Sequence, residues 1–353
     1  MPEPDASARF ETILRFAAER QISDIHLKSG QRPLYRRAGV LITRREESPF
    51  IEGEMAEIAQ GVMSPNQAKA FNTGAEVTCI WGVVGSGRFR VQLYRQRQSV
   101  AVAVRVLPPR PTSLRDLRLP AAVAGFCSAR DGLVLLCGGP GSGRSTTLLS
   151  MIDAINTASG QARHVVTLEK PIEVHLDDKL AFICQREIGL DTPSWSAGLQ
   201  GAMRQDVDVI ALADIADPSS LQLAISAAEA GILVLACVPT ADIARAIRRL
   251  QGMADTGAAP GLRQRLAGVL LGAMSQRLVP GADANKRFPA VEMLVANEHS
   301  YQILYNGQDP AALYEVMHTR VLGMQTVDQS LAELVRAQLV NADVAAQYAM
   351  RGM

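Results

Sequence analysis

Long apolar runs are absent from this 353-residue chain. The longest, at 133–137 and 232–238, fall far short of the roughly 18 residues that suggest a membrane span, which predicts a soluble protein. Cysteine is scarce: the five (Cys79, Cys127, Cys137, Cys184, Cys237) are an odd number without C-x-x-C spacing, set in apolar or mixed segments. That pattern excludes a disulfide framework or a zinc site and predicts reduced, mostly buried thiols. Net charge is nearly absent too, at +1, so the chain as a whole has no electrostatic pull toward nucleic acid or an anionic membrane. The opening residues, Met1-Pro2-Glu3-Pro4-Asp5, lack the apolar stretch of a secretory signal, which predicts a cytoplasmic location.

What is present supports a folded protein. With 48% hydrophobic and 20% charged residues the chain can bury a substantial core, and its length favours two domains. Charge is uneven locally. Between residues 86 and 120 stand eight arginines (Arg88, Arg90, Arg95, Arg97, Arg105, Arg110, Arg115, Arg118) and one acid, Asp116.

Phe10, Ile13, Leu14, Phe16 and Ala17 fall at helical spacing and predict an amphipathic helix over 7–20. A strand pair follows around 23–27 and 34–36, then a helical stretch over 52–71 and a meander of strands at 77–84, 87–95 and 100–107. The first domain is therefore expected to be α+β, over 1–107. Proline-dense residues at 108–113 cannot continue a central strand or helix, which puts a linker at 108–118. Beyond it, over 119–353, apolar runs at 132–137, 163–168, 207–212 and 231–238 alternate with helical patterns, the signature of a parallel α/β sheet. From about 262 onward the pattern is helical apart from a strand near 289–295, and the tail ends in amphipathic helices.

The strongest motif begins at 132–137 and runs through Gly138-Gly139-Pro140-Gly141-Ser142-Gly143-Arg144-Ser145-Thr146-Thr147. It matches G-x-x-x-x-G-K-[ST] except for Arg144 at the lysine position. Small residues let backbone N–H groups converge on phosphate oxygens at a helix N-terminus, where the partial positive charge adds to the field. Ser145 is placed for Mg²⁺, and Thr146 or Thr147 for the phosphate side. Arg144 keeps the charge on a larger, planar group that fits differently beneath phosphates. The alternative is a strand–turn–helix junction that uses glycine for backbone geometry alone.

From Ser23-Asp24-Ile25-His26-Leu27 through Gly87-Arg88-Phe89-Arg90-Val91, Glu169-Lys170-Pro171-Ile172-Glu173, Gln185-Arg186-Glu187 and Arg204-Gln205-Asp206-Val207-Asp208 to the stretch from Gly323 to Leu331, the sequence resembles the type IV pilus retraction ATPases of the secretion-ATPase superfamily. The resemblance covers roughly residues 20–335. It implies a RecA-like P-loop ATPase domain with a smaller PAS-like N-terminal domain, ATP and Mg²⁺ bound between subunits, and a hexameric ring, either a homo-hexamer or mixed with a paralogue. It also implies a place on the cytoplasmic side, peripheral to the inner membrane, against the pilus platform protein. By position the acidic box falls on 169–173, the Walker B segment on 209–214 and the His box on 231–240.

The departures are concentrated in those same segments. Lys170 replaces an acid between Glu169 and Glu173; Asp214 stands for a catalytic glutamate; Ile232 and Pro239 stand for two histidines; and Gln98 stands where a turn arginine falls. The resemblance makes Asp214 and Glu169 the catalytic candidates and Ser145 and Glu173 the metal candidates. Arg90 and Arg105, on the arginine-rich strands, are candidates for reaching a neighbouring subunit's phosphate; the bland alternative is a solvated basic face. Aspartate is one methylene shorter than glutamate, and a 1 Å misplacement of a reacting group costs on the order of 10²-fold. These changes predict impaired hydrolysis, with a non-catalytic ring subunit as the alternative. Little aromatic interleaving accompanies the arginines beyond Phe89 and Tyr94, so a nucleic-acid partner is not expected. None of the five histidines has metal-ligand spacing.

Overall fold

Strands of alternating burial in the first hundred residues close into one antiparallel sheet. The computed structural model describes residues 5–37, 40–158, 160–254, 257, 259–283 and 286–350. The chain divides into two compact units, residues up to Arg110 together with Pro171–His175, and Pro111–Lys170 together with the residues from Leu176 onward.

The first unit contains α1 (Ala6–Glu19), β1 (Ile22–Lys28), β2 (Leu34–Arg37), β3 (Val40–Thr43), α2 (Glu52–Val62), α3 (Pro65–Asn72), β4 (Val77–Val83), β5 (Gly87–Gln96) and β6 (Ser99–Val106). Its sheet runs β3-β2-β1-β6-β5-β4, antiparallel throughout. Phe10, Ile13, Leu14 and Ala17 of α1 share a core with Ile25, Leu27, Tyr35, Val91, Leu93, Val102 and Val104. The single helix expected over 52–71 is two. Pro65 disfavours a helical Ser64, which instead turns extended and caps α3 in a reciprocal pair with Gln67. β3 was not anticipated: all four of its residues are exposed, so it carries no burial alternation to read.

The second unit contains α4 (Ala122–Ser128), β7 (Gly132–Cys137), α5 (Arg144–Thr157), β8 (His164–Glu169), β9 (Phe182–Glu187), α6 (Trp195–Ala202), β10 (Val209–Leu212), α7 (Pro218–Glu229), β11 (Leu233–Val238), α8 (Ile243–Gln251), α9 (Ala259–Val269), β12 (Leu270–Pro280) and β13 (Arg287–Val295). These are followed by α10 (Glu298–Tyr305), α11 (Leu313–His318), α12 (Val327–Arg336) and α13 (Ala342–Tyr348). The sheet order is β13-β12-β7-β11-β10-β8-β9, parallel except for β13. Every residue of β7, β10 and β11 is buried, as strands covered on both faces must be. Here one expectation fails: β12, an 11-residue strand, occupies a stretch expected to be helical and lies between β7 and β13. α12 and α13 pack on the β12–β13 hairpin through Val279, Ala290, Val327, Leu331, Val340 and Ala345.

All five cysteines are free thiols, four of them buried and Cys184 half-buried. Among the described residues no helix is long and apolar enough to cross a membrane.

Candidate functional site

β7 delivers the chain to the C-terminal edge of the parallel sheet, where open α/β sheets place their ligand sites. The turn that follows needs glycine for two separate reasons. A Cβ on Gly138 would overlap the Ser142 side chain and come 2.9 Å from the Gln276 carbonyl oxygen, at a φ of 151°. A Cβ on Gly143, at φ 95°, would sit 2.7 Å from Gln276 Nε2. Gly143 is also the N-cap of α5, and no side chain caps that helix. The first-turn amides of α5 therefore have neither an intrahelical acceptor nor a capping group, and α5 presents its positive end there.

The loop's side chains divide into two sets. Ser145 and Thr146 are exposed at the mouth. Of Thr146 and Thr147, the two alternatives for the phosphate side, Thr147 is buried, its hydroxyl donating to Gln276 Oε1 at 2.8 Å. Ser142 is 6% exposed and its hydroxyl has no hydrogen-bond partner, so an oxygen-rich ligand in the loop would find a ready donor.

Asp214 lies just past β10 on a segment pinned on both sides, with Ala213 N–H donating to the Leu168 carbonyl at 3.0 Å and Ile215 N–H to the Cys237 carbonyl at 3.1 Å. Its Oδ1 is buried and unpartnered. Burial pushes the Asp214 carboxyl above its ordinary range, while the charges of Arg249 and Arg144 pull it back down. Glu169, at the end of β8, is buried and accepts hydrogen bonds from Thr167 Oγ1 at 2.7 Å and Gln185 Nε2 at 2.9 Å. Cys237 reports the convergence: burial raises its thiol to about 12, and it feels the charges of Arg144, Asp214 and Glu169 together. The structure thus brings the loop arginine and both acidic candidates to one place, around the ends of β7, β8, β10 and β11.

Other predicted residues have different company. Arg90 Nη1 pairs with Glu173 Oε1 at 2.6 Å within the first unit, and Arg88 Nη2 donates to the Ile172 carbonyl at 3.0 Å. Arg105 Nε pairs with Asp24 at 2.9 Å. Both candidate phosphate arginines are therefore engaged with carboxylates of their own unit. Of the two metal candidates, Ser145 belongs to the second unit and Glu173 to the first. Asp217, three residues past Asp214, is the N-cap of α7, accepting from Ser220 N–H at 2.8 Å. Lys170 is exposed, and Arg97 and Gln98 form the β5–β6 turn with φ of 48° and 67°. Among the described residues no group of three or more His, Cys, Asp or Glu could hold a metal ion. Mg²⁺, which keeps waters and shares phosphate oxygens, does not require such a cage, and the exposed Ser145 hydroxyl fits that role.

Sequence reasoning missed Gln276 and Arg249. Gln276 reaches the loop from β12, and Arg249, on α8, acts by its charge on Asp214; nothing local marks either.

A buried strand, a glycine turn and an uncapped helix start, with an acid at the end of a neighbouring parallel strand, define a P-loop α/β protein of the RecA-like class. The chain belongs to the type II/IV secretion system protein family, whose profile matches residues 88–350. Over most of its length it is similar to pilus retraction ATPases. It is 30% identical to the type IV pilus retraction ATPase PilT of Pseudomonas aeruginosa over 96% of this chain and 97% of that one. It is 33% identical to a twitching motility protein of Neisseria gonorrhoeae over 83% of this chain and 78% of that one. The crystal structure of the pilus retraction motor PilT with bound ADP superposes with a TM-score of 0.87, at 32% identity, covering 96% of each chain.

Proposed function

We propose that this protein is a pilus-retraction-type ATPase that binds Mg-ATP through residues 138–146 and hydrolyses it weakly. The observation that carries the reading is the loop itself: amides open at an uncapped helix N-terminus beside an orphaned Ser142 hydroxyl. The ADP named with the similar PilT crystal structure supports the same ligand class. In this reading Arg144 and the loop amides hold the phosphates, Thr146 and Ser145 line the mouth with Ser145 on Mg²⁺, and Asp214, supported by Glu169, polarises the attacking water. The subunits form a hexameric ring, of this chain alone or with a paralogue, on the cytoplasmic face of the inner membrane against the pilus platform protein. Glu173 completes the metal site and Arg90 or Arg105 reaches phosphate only if their present ion pairs open. Each of those half-exposed pairs is worth no more than about 1 kcal/mol, so opening is inexpensive.

One observation favours the alternative of a non-catalytic ring subunit that regulates an active paralogue. Asp214 is one methylene shorter than glutamate, and burial pushes its carboxyl above the ordinary range, away from the ionised form that polarises water. Titration of Mg-ADP into the purified protein, followed by thermal unfolding, tests the binding that both readings share. Nucleotide at 100 times its dissociation constant is expected to add about 2.7 kcal/mol of stability, and Arg144→Ala to remove most of that gain. Absence of any shift at millimolar nucleotide would contradict the reading.

A further inference from the structure

Gln276 is 3% exposed, sits in the middle of β12, and lies 134 residues along the chain from the loop it touches. Its one amide makes two hydrogen bonds there. Nε2 donates to the Ser142 carbonyl at 2.7 Å, and Oε1 accepts the Thr147 hydroxyl at 2.8 Å. A trans peptide is planar, with its C=O and N–H pointing in opposite directions. Tying the Ser142 carbonyl toward β12 therefore fixes the Gly143 N–H pointing away from β12. Gly143, on one side of that peptide, tolerates both signs of φ, so its own backbone sterics do little to hold the peptide in place.

We propose that Gln276 is the positioning residue of the phosphate loop, its amide holding the Ser142–Gly143 peptide with the Gly143 N–H presented to the nucleotide phosphates. The inference rests on the nucleotide-binding reading above. Thr147 is the other half of the device. By occupying Oε1, its hydroxyl orients the amide so that the NH₂ group, not the oxygen, faces Ser142. The arrangement also explains why position 143 excludes a side chain, since a Cβ would displace Nε2.

The test compares wild type, Gln276→Leu and Thr147→Val as full-length proteins, by hydrogen exchange without nucleotide and by Mg-ADP affinity. Gln276→Leu is expected to speed exchange of the 139–146 amides more than tenfold, leave β10 and β11 unchanged, and weaken ADP at least tenfold. Thr147→Val, which keeps the donor but frees its orientation, is expected to fall between the two. If Gln276→Leu does not fold, Thr147→Val decides alone, by the same two readouts. Wild-type loop exchange in the variants would overturn the proposal, and so would faster exchange with unchanged ADP affinity, since the contact would then be merely structural. Should wild type bind no nucleotide, the functional reading fails, while the exchange comparison still upholds or overturns the clamp on its own.

Discussion

In the reading proposed above, turnover depends most directly on Arg144 and Asp214, and the charge of the first lowers the carboxyl pKa of the second. Asp214 must be ionised to polarise water, yet burial favours its protonated form, and Arg249 and Arg144 are the charges that oppose burial. Activity is therefore lost as pH falls through the raised carboxyl pKa. Removing a positive charge raises that pKa further, so Arg249→Ala is expected to move the acid limb of the rate profile to higher pH; an unmoved limb would separate Asp214 from the rate-determining ionisation. Arg144→Lys restores a compact phosphate ligand but not the missing methylene of Asp214 or the absent histidines. Its expected outcome is tighter ADP binding with kcat within about tenfold of wild type, because misplacement at the reacting centre costs far more. Fast turnover from Arg144→Lys alone would show that Asp214 is already well placed.

At the scale of elements, the junction between α8 and β13 is held by a buried acid. Glu292 Oε2 accepts the Ile243 N–H at 3.3 Å at the start of α8, beside the helix cap Asp242. Burial, and after it the charges of Asp242 and Asp328, push its carboxyl up to about 7, against the opposing Ile243 N–H and Arg277. The raised value means that the folded state holds this proton more tightly than the unfolded chain does. Its contribution to stability is complete below the unfolded pKa near 4.5 and is lost as pH rises to about 7. Denaturant unfolding should show up to about 3 kcal/mol of pH dependence over that window that Glu292→Gln lacks.

β12 shows why some elements escape a reading from sequence. Leu270–Pro280 contains Leu, Ala, Met, Gln and Arg, all good helix formers, and continues from α9 without a break. Its strand form comes from pairing with β7 on one side and β13 on the other, which is tertiary context. Gly272 records how tight that pairing is: a Cβ there would come 2.5 Å from the Leu294 carbonyl oxygen and closer still to the Phe126 ring. Gly272→Val is expected to cost about 3 kcal/mol in urea unfolding, and a neutral result would mean that the hairpin relaxes freely. β9 escaped for a different reason. It is a polar edge strand whose Phe182 is exposed, so the apolar signal of the neighbouring parallel strands is missing. β7, β8, β10 and β11 were legible because burial on both faces leaves near-continuous apolar runs.

At the scale of the molecule, the part of the site that is contiguous in sequence was readable and the part assembled by topology was not. The glycines of residues 138–143 and Ser145 declare themselves in a single stretch. Gln276 and Arg249 lie on β12 and α8 and become neighbours of the loop or of Asp214 only when the sheet forms. The ion pair between Arg90 and Glu173 likewise joins residues 83 apart, and it places part of the acidic box with the first unit.

The central claim is that this chain is a nucleotide-binding retraction-type ATPase with slowed chemistry. Mg-ATP binding and steady-state hydrolysis by the purified protein, beside Asp214→Ala, test it most directly. The account predicts saturable binding by both proteins and slow turnover by the wild type that Asp214→Ala abolishes. Fast turnover, turnover indifferent to Asp214→Ala, or no binding at all would contradict it.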